Sequence, residues 1–382
     1  MGDSRILVAM SGGVDSAVAA AILHREGHDV VGVTLRLYTE EDPTALRSKR
    51  ACCGVEDVAD ARAAAQRIGI PHYVLNMERE FERDVIEVFA SAYRNGRTPN
   101  PCLECNDRVK FRTLLDRADA LGFERLATGH YARIREHPAG ADDAGGFSLH
   151  AAADEAKDQS YVLYTLGQEQ LARVRFPLGD LPKAETRRIA AELDLGVADK
   201  PDSADICFVP GGDYRELLRA RGDSSRPGVI VDADGSTLRR HEGVAAFTVG
   251  QRRGLGVATG ERRYVTEIDA AAGAVRVGSA EDLLASAVEA SAPRWVREAP
   301  RPGDPLLARI RAHGPLVPAR LIDLDAAGFR VAFEEPVRAA APGQAIVLYR
   351  PDDEHGHEVA GGGTIEHGHE VAGGGTIERG LR

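Results

Sequence analysis

Short apolar runs alternate with helical periodicities through the first half of the chain. Residues 6–9, 30–35, 72–75 and 125–128 have the length and branched or aromatic content of strands buried in a parallel sheet. Between them, residues 17–23 and 55–68 place apolar side chains at helical spacing, so a doubly wound α/β unit is predicted. Residues 154–166 and 183–193 also read as helices, and Leu195-Gly196-Val197 with Pro201 closes the region. From Gly228 onward the texture changes to β-rich runs broken by Gly, Asp and Pro, as at 228–232 and 264–268, which predicts a small mixed domain. After 293–296, alternating segments at 306–311, 319–324, 329–333 and 345–349 predict an antiparallel barrel or sandwich. The expected units are therefore 1–208, 209–282 and 283–382.

The tail carries a duplication: residues 355–366 recur unchanged as 367–378. One barrel needs one closing strand. The first copy is expected to supply it through Val359 and residues 361–365, which leaves the second copy surplus. The paired histidines of the repeat suggest a metal site, but a local duplication accounts for two copies without any ligand.

At 382 residues the chain exceeds one ordinary core, in keeping with two or three domains. The formal net charge is −11 and no dense Lys/Arg run occurs. That argues against a nonspecific nucleic-acid binder while permitting a shaped basic groove. No apolar run reaches membrane-spanning length and no signal-peptide core precedes the first strand, so a cytoplasmic protein without a membrane partner is expected. Five cysteines, an odd number, fit thiol chemistry or metal binding in a reducing compartment better than a disulfide framework.

Three stretches carry candidate chemistry. In Met10-Ser11-Gly12-Gly13-Val14-Asp15-Ser16, between the first strand and the first helix, glycines let backbone N–H groups approach an anion beside the positive end of a helix dipole. The loop lacks the Lys-Ser/Thr ending of a Walker A motif. It matches instead the SGGxDS signature of the pyrophosphate-loop family, whose members split ATP into AMP and pyrophosphate. In residues 96–111, prolines fix a loop before a helix that carries Cys102, Cys105, Arg108 and Lys110. A Cys near a helix N-terminus with basic neighbours gains thiolate character, which makes Cys105 a candidate nucleophile. A lone Cys-x-x-Cys leaves zinc, a redox pair, an iron–sulfur cluster and packing all open, and adjacent Cys52-Cys53 make poor additional ligands. The third stretch, residues 200–209, holds Cys207 beside Phe208 and Val209, where core packing competes with reactivity. An adenylating loop together with two separated loop thiols is what sulfur transfer to an activated carbon requires.

At this level of detail the chain resembles the bacterial tRNA-specific 2-thiouridylases. The resemblance rests on residues 11–16, 96–101 with Cys105-Asn106, 127–131, 157–161, Asp202-Ser203 with Ile206-Cys207-Phe208, and 248–256. It covers nearly the whole chain. It implies an adenine-nucleotide α-hydrolase-like catalytic domain, a small central tRNA-adaptor domain and a C-terminal antiparallel β-barrel. It further implies that Ala9, Met10, Ser11, Gly12, Gly13, Val14, Asp15 and Ser16 hold the phosphates of ATP with Mg2+, and that Gly129 and the Leu35 backbone contact the nucleoside. O2 of the wobble uracil of tRNA would be adenylated. Cys207 would carry a persulfide from a desulfurase or sulfur-relay protein, and Cys105 would resolve it, leaving a Cys105–Cys207 disulfide, or assist its direct attack. Asn100, Pro101 and Cys102 would border the extruded base. His130, Lys157, Asp158, Gln159, Arg311, Ala312 and Gln344 match positions that touch tRNA, with Asp158 the weakest phosphate contact. Two departures stand out: Leu35 is often Met in relatives, and Cys102 occupies a site that is acidic in some. The second leaves a cluster held by Cys102, Cys105 and Cys207 as an alternative. Competing functions are an amidating pyrophosphate-loop ligase, which needs no thiol pair, and a noncatalytic ATP-sensing RNA-binding module.

Overall fold

The computed structural model describes residues 4–38, 55–139, 145–202, 206–209, 213–222, 227–258, 260–352 and 356–369. Strand β1 (Arg5–Ala9) lies at the centre of a parallel sheet and is followed by helix α1 (Val14–Arg25). Strands β2 (Asp29–Arg36) and β3 (His72–Asn76) extend the sheet on one side of β1, and β4 (Arg125–Thr128) on the other; Val174–Arg175 forms the edge beyond β4. Consecutive alanines at 19–21 keep α1 slim enough to sit close on the sheet. Together with helix α2 (Val55–Ile68) and the helix Lys183–Glu192, α1 covers one face. The opposite face is covered by two helical stretches, 78–94 and 101–120, each interrupted by π-helical turns at Glu82–Ile86 and Cys105–Leu114. Such wide turns occur in helices mainly at functional positions.

The single helix expected over 154–166 is replaced by two short 3-10 turns, Glu155–Lys157 and Ser160–Leu163. Asp158 is the physical reason. Its side chain is 2% exposed, pairs with Arg309 at 2.7 Å, and accepts from the N–H groups of Ala152 and Ser160 and the Ser160 hydroxyl. A carboxylate that captures nearby backbone donors competes with the helical ladder.

The central unit is a four-stranded mixed sheet in the order Tyr264–Asp269, Ala274–Gly278, Gly228–Val231, Thr237–His241, over a core of Ile230, Phe247, Leu255, Val265 and Val275. The C-terminal unit is a closed antiparallel barrel. Its long first strand, Leu284–Trp295, begins well before residue 296 and pairs with both Gly328–Arg338 and Glu358–His369. A hairpin within the catalytic region, Arg133–His137 with Gly146–His150, was not expected from the sequence and adds to this sheet through His150 opposite Glu358.

Glu358–His369 shows the first copy of the duplication acting as the closing strand and running three residues into the second copy. The remainder of the second copy lies outside the described residues, as do Cys52 and Cys53. The triple glycine is required by close packing. A Cβ at Gly361, Gly362 or Gly363 would stand 2.2, 2.3 or 2.5 Å from the carbonyl oxygens of Arg294, Ile346 and Ser291. Among the described residues no helix is long and apolar enough to cross a membrane.

Candidate active site

The glycine loop sits at the C-terminal ends of β1, β2 and β4, outside the point where strand order reverses, which is where open α/β sheets bind ligands. Met10 N–H donates to Val33 O at 2.7 Å, and the Thr34 hydroxyl donates to Met10 O at 2.8 Å, so β2 clamps the start of the loop. Gly12 has φ +76°, and a Cβ there would stand 2.2 Å from Asp57 O. Ser16 folds its hydroxyl into the loop: it accepts from Ser11 N–H at 3.0 Å and donates to Gly13 O at 3.2 Å. Gly129 lies against the first turn of α1, where a Cβ would stand 2.6 Å from Ser16 N. Leu35 is buried near the C-terminal end of β2. Thus residues 9–16 and Gly129, far apart in sequence, come together around one helix N-terminus, while the Leu35 side chain is buried on the opposite face of the sheet from α1.

Asp15 is the hub of a charged network. Lys183 Nζ donates to both its carboxylate oxygens, at 2.7 and 2.8 Å, and the Tyr131 hydroxyl donates to Oδ1 at 2.9 Å. Burial pushes the Tyr131 phenol well above its ordinary value, so it remains a donor. The same Lys183 ammonium lies 2.9 Å from Asp202, which also receives Lys157 at 2.7 Å and Arg187 at 2.9 Å. Burial pushes Asp202 up, but the hydrogen bonds from Lys157 and Lys183 outweigh it and bring the carboxyl down to about 2. On the other flank, Lys200 donates to Gly12 O at 3.0 Å and pairs with Asp57 and Asp60; against the penalty of burial, these carboxylates hold its ammonium above the ordinary value. Lys183 and Lys200 are functional candidates that motif reading missed. One signal was available for Lys183: a lysine opening a helix sits at the unfavourable end of the dipole and so needs an acidic partner from elsewhere.

The second loop is anchored to the barrel. Thr98 N–H donates to Pro342 O at 2.7 Å, Gln344 Nε2 donates to Thr98 O at 2.9 Å, and Arg97 pairs with Glu366 at 2.6 Å. Asn100 then caps the helix by accepting from Cys102 N–H at 3.1 Å, with Pro101 at the first helical position. Cys102 therefore occupies the first turn and Cys105 lies one turn further in, buried in the core shared by the sheet and the barrel. Cys207, half-buried, packs against that same core. Its neighbour Phe208 meets Phe81 and Phe89 edge-on, with ring centroids 5.6 and 5.3 Å away. Cys102, Cys105 and Cys207 are all thiols. They are not gathered as a three-ligand metal set among the described residues.

The residues matched to RNA contact divide by placement. Gln344 is brought beside Asn100 and Pro101 by its bonds to the loop. His130 is wedged between Phe111 and Phe176 and bonds Thr128 at 2.7 Å; burial, aided by the charge of Lys110, holds it neutral. Lys157 reaches Asp202, and Gln159 accepts from Tyr131 N–H at 3.0 Å. The Asp158 carboxylate points inward to Arg309, so any RNA contact there would use the backbone. Arg311 is exposed on the barrel and donates to Arg338 O at 3.3 Å, while Ala312 packs on the shared core.

Fold and site together define a pyrophosphate-loop α/β nucleotide domain carrying two thiol-bearing segments and two further domains. Family models match along the chain: a tRNA methyl transferase HUP domain over residues 4–211, a tRNA methyl transferase PRC-barrel domain over 215–279 and an aminomethyltransferase beta-barrel domain over 285–365. The chain is 50% identical over 374 residues to the tRNA-specific 2-thiouridylase MnmA of Roseiflexus castenholzii, covering 95% of this chain and 99% of that one. It is 50% identical over 372 residues to the protein of that name from Rhodococcus erythropolis, covering 94% and 97%. The chain belongs to the tRNA-specific 2-thiouridylase family. Among solved structures, a 4-thiouridine synthetase–RNA complex with bound ATP aligns over 58% of this chain and 51% of that one at 17% identity, with a TM-score of 0.36, too distant a likeness to inform function.

Proposed function

We propose that the chain catalyses ATP-dependent 2-thiolation of the wobble uridine of tRNA. The observation that carries this reading is the joining of the phosphate loop to the Cys207 segment: Lys183 bonds both Asp15 of the loop and Asp202, five residues before Cys207. Uracil O2 attacks the α-phosphorus of ATP, pyrophosphate leaves, and C2 becomes electrophilic. The N–H groups and hydroxyls of residues 11–16 receive the phosphates. Mg2+ arriving with ATP would supply charge neutralisation for the departing pyrophosphate, while Asp15, whose oxygens accept from Lys183 and Tyr131, holds the Lys183 ammonium beside the loop. Asn100, Pro101 and Cys102 border the base, with Gln344 steadying their loop.

Cys207 carries the terminal sulfur of a persulfide delivered by a desulfurase or relay protein. In one balanced route that sulfur attacks C2, AMP leaves with the old oxygen, and the Cys105 thiolate then attacks Cys207 Sγ. The S–S bond to the uridine sulfur breaks, giving 2-thiouridine and a Cys105–Cys207 disulfide that an external thiol reduces. In the other, Cys105 attacks first and releases sulfide, which attacks C2. Both need two thiols, and the placement of Cys105 and Cys207 on one apolar core supports that pairing. The test is incubation with ATP, Mg2+, a persulfide or sulfide source and wobble-uridine tRNA, read for AMP and, after nuclease digestion, for 2-thiouridine by mass spectrometry. Formation of neither product would overturn the reading.

A further inference from the structure

A loop that offers N–H groups to an anion must turn its carbonyl oxygens the other way, because the N–H and C=O of one trans peptide point in opposite directions. Glycines make that orientation easy to lose. Gly12, at φ +76°, is followed by Gly13, so the peptide between them has no Cβ on either side to fix its direction. In the phosphate loop the carbonyls are instead held by side chains. The Thr34 hydroxyl donates to Met10 O at 2.8 Å, the Ser16 hydroxyl to Gly13 O at 3.2 Å and the Lys200 ammonium to Gly12 O at 3.0 Å.

Two of these donors lie outside the motif, and each is itself fixed. Thr34 has one hydroxyl proton, which goes to Met10 O, so its oxygen accepts from His72 Nε2–H at 2.8 Å. Gly32 leaves room for both partners: a Cβ there would stand 2.6 Å from Met10 Sδ and 3.2 Å from the His72 ring. Lys200 comes from the segment that bears Cys207 and is gripped by two carboxylates of α2, Asp57 at 2.7 Å and Asp60 at 2.6 Å. An ammonium has three N–H donors. Gly12 O, Asp57 and Asp60 take one each, and the two carboxylates match the charge. Lys200 therefore brings the loop neither a spare donor nor net positive charge. What it brings is direction: with Gly12 O held, the Gly13 N–H of the same peptide is aimed away from Lys200.

We propose that Lys200 is a positioning residue for ATP, which fixes the Gly12–Gly13 peptide so that the Gly13 N–H faces the phosphates, without touching the nucleotide itself. The inference rests on the reading that this loop binds ATP. Release of Gly12 O would let the peptide rotate, losing one donor to the anion and turning a carbonyl oxygen toward it. The cost falls on the phosphates and not on the adenosine, because the loop meets only the former.

The experiment measures ATP and adenosine binding by equilibrium dialysis on the full chain and its Lys200→Met variant. The variant is expected to bind ATP about tenfold more weakly, the scale of one lost hydrogen bond to a charged group, and adenosine as the wild type does. In turnover the KM for ATP should rise by the same factor while the KM for tRNA stays. A general structural defect would instead weaken both ligands together, and that result would overturn the assignment, as would unchanged ATP affinity. The bare Asp57 and Asp60 carboxylates could also repel ATP, so Asp57→Asn/Asp60→Asn/Lys200→Met is measured alongside. Persisting weak ATP binding in this triple variant supports the held peptide, whereas recovery to the wild-type value would reduce Lys200 to a charge neutraliser and overturn the proposal. Failure of the wild type to bind ATP would remove the proposed reaction and this inference with it; wild-type binding with an unchanged ratio of ATP to adenosine affinity in Lys200→Met would remove the inference alone.

Discussion

Asp15 shows what a motif discloses and what it leaves hidden. The sequence places it at the start of a helix behind two glycines, which suffices to infer a phosphate site. It says nothing of Lys183 or Tyr131, which reach Asp15 only because the sheet brings their segments beside α1. The expected effect of Asp15→Ala or Ser16→Ala is a fall of about two orders of magnitude in tRNA-dependent pyrophosphate release, the scale typical for loss of one preorganised electrostatic group, with RNA affinity retained. Full turnover by the doubly substituted protein would remove the loop from the mechanism. Asp202 offers a second test. Its carboxyl is lowered in the folded state from an ordinary 3.8 to about 2, so its contribution to stability is full above pH 4 and is lost as pH falls through that range. The stability advantage of wild type over Asp202→Asn in urea titrations should therefore shrink between about pH 4 and pH 2. An advantage independent of pH over that interval would mean that the lysines do not hold the carboxylate as described.

Elements were legible where local pattern and tertiary role agree. Residues 55–68 and strands β1, β2 and β4 place their apolar side chains against the core and form where expected, whereas the two-residue edge strand Val174–Arg175 was too short to be read. Residues 154–166 failed as a helix because a long-range ion pair, Asp158 with Arg309, overrides a compatible local pattern. The hairpin at 133–150 was hidden for a related reason: its partner strand lies about two hundred residues later, in the tail. That tail strand is specified by residues with no side chain, since Gly361, Gly362 and Gly363 admit the opposing carbonyls. The first copy of the repeat supplies the pairing through Ile365, so removing residues 370–382 is expected to shift Tm by no more than about 2 °C, whereas a cut before His367 also removes pairing to residues 287–289. Scanning calorimetry of the two truncations checks this. A large loss in the shorter deletion would mean that the second copy of the repeat contributes to the barrel.

For the whole molecule, the decisive arrangement is the apolar core on which the sheet, the Cys105 helix, the Cys207 segment and the barrel all converge. Its composition was readable, but its convergence was not, because hydrophobicity does not encode which distant segments share a core. Two reactions then make different demands on the thiols. In the persulfide route Cys207 accepts sulfur and Cys105 resolves it, so Cys105→Ser and Cys207→Ser should each cut thiolation by about a thousandfold or more, as loss of either member of a catalytic unit does. Cys102→Ser should keep most of its activity, since what Cys102 contributes to the Asn100 cap is a backbone N–H that serine also supplies. In the cluster route all three cysteines ligate iron, and each Ser variant should lose iron and activity together. The observation that favours the first route is the packing of Cys105 and Cys207 on one apolar core. The deciding measurement is iron and acid-labile sulfide analysis after anaerobic purification, followed by thiolation assays of each Cys→Ser variant with and without cluster reconstitution. Activity that appears only on reconstitution and disappears equally in all three variants would establish the cluster and displace the persulfide.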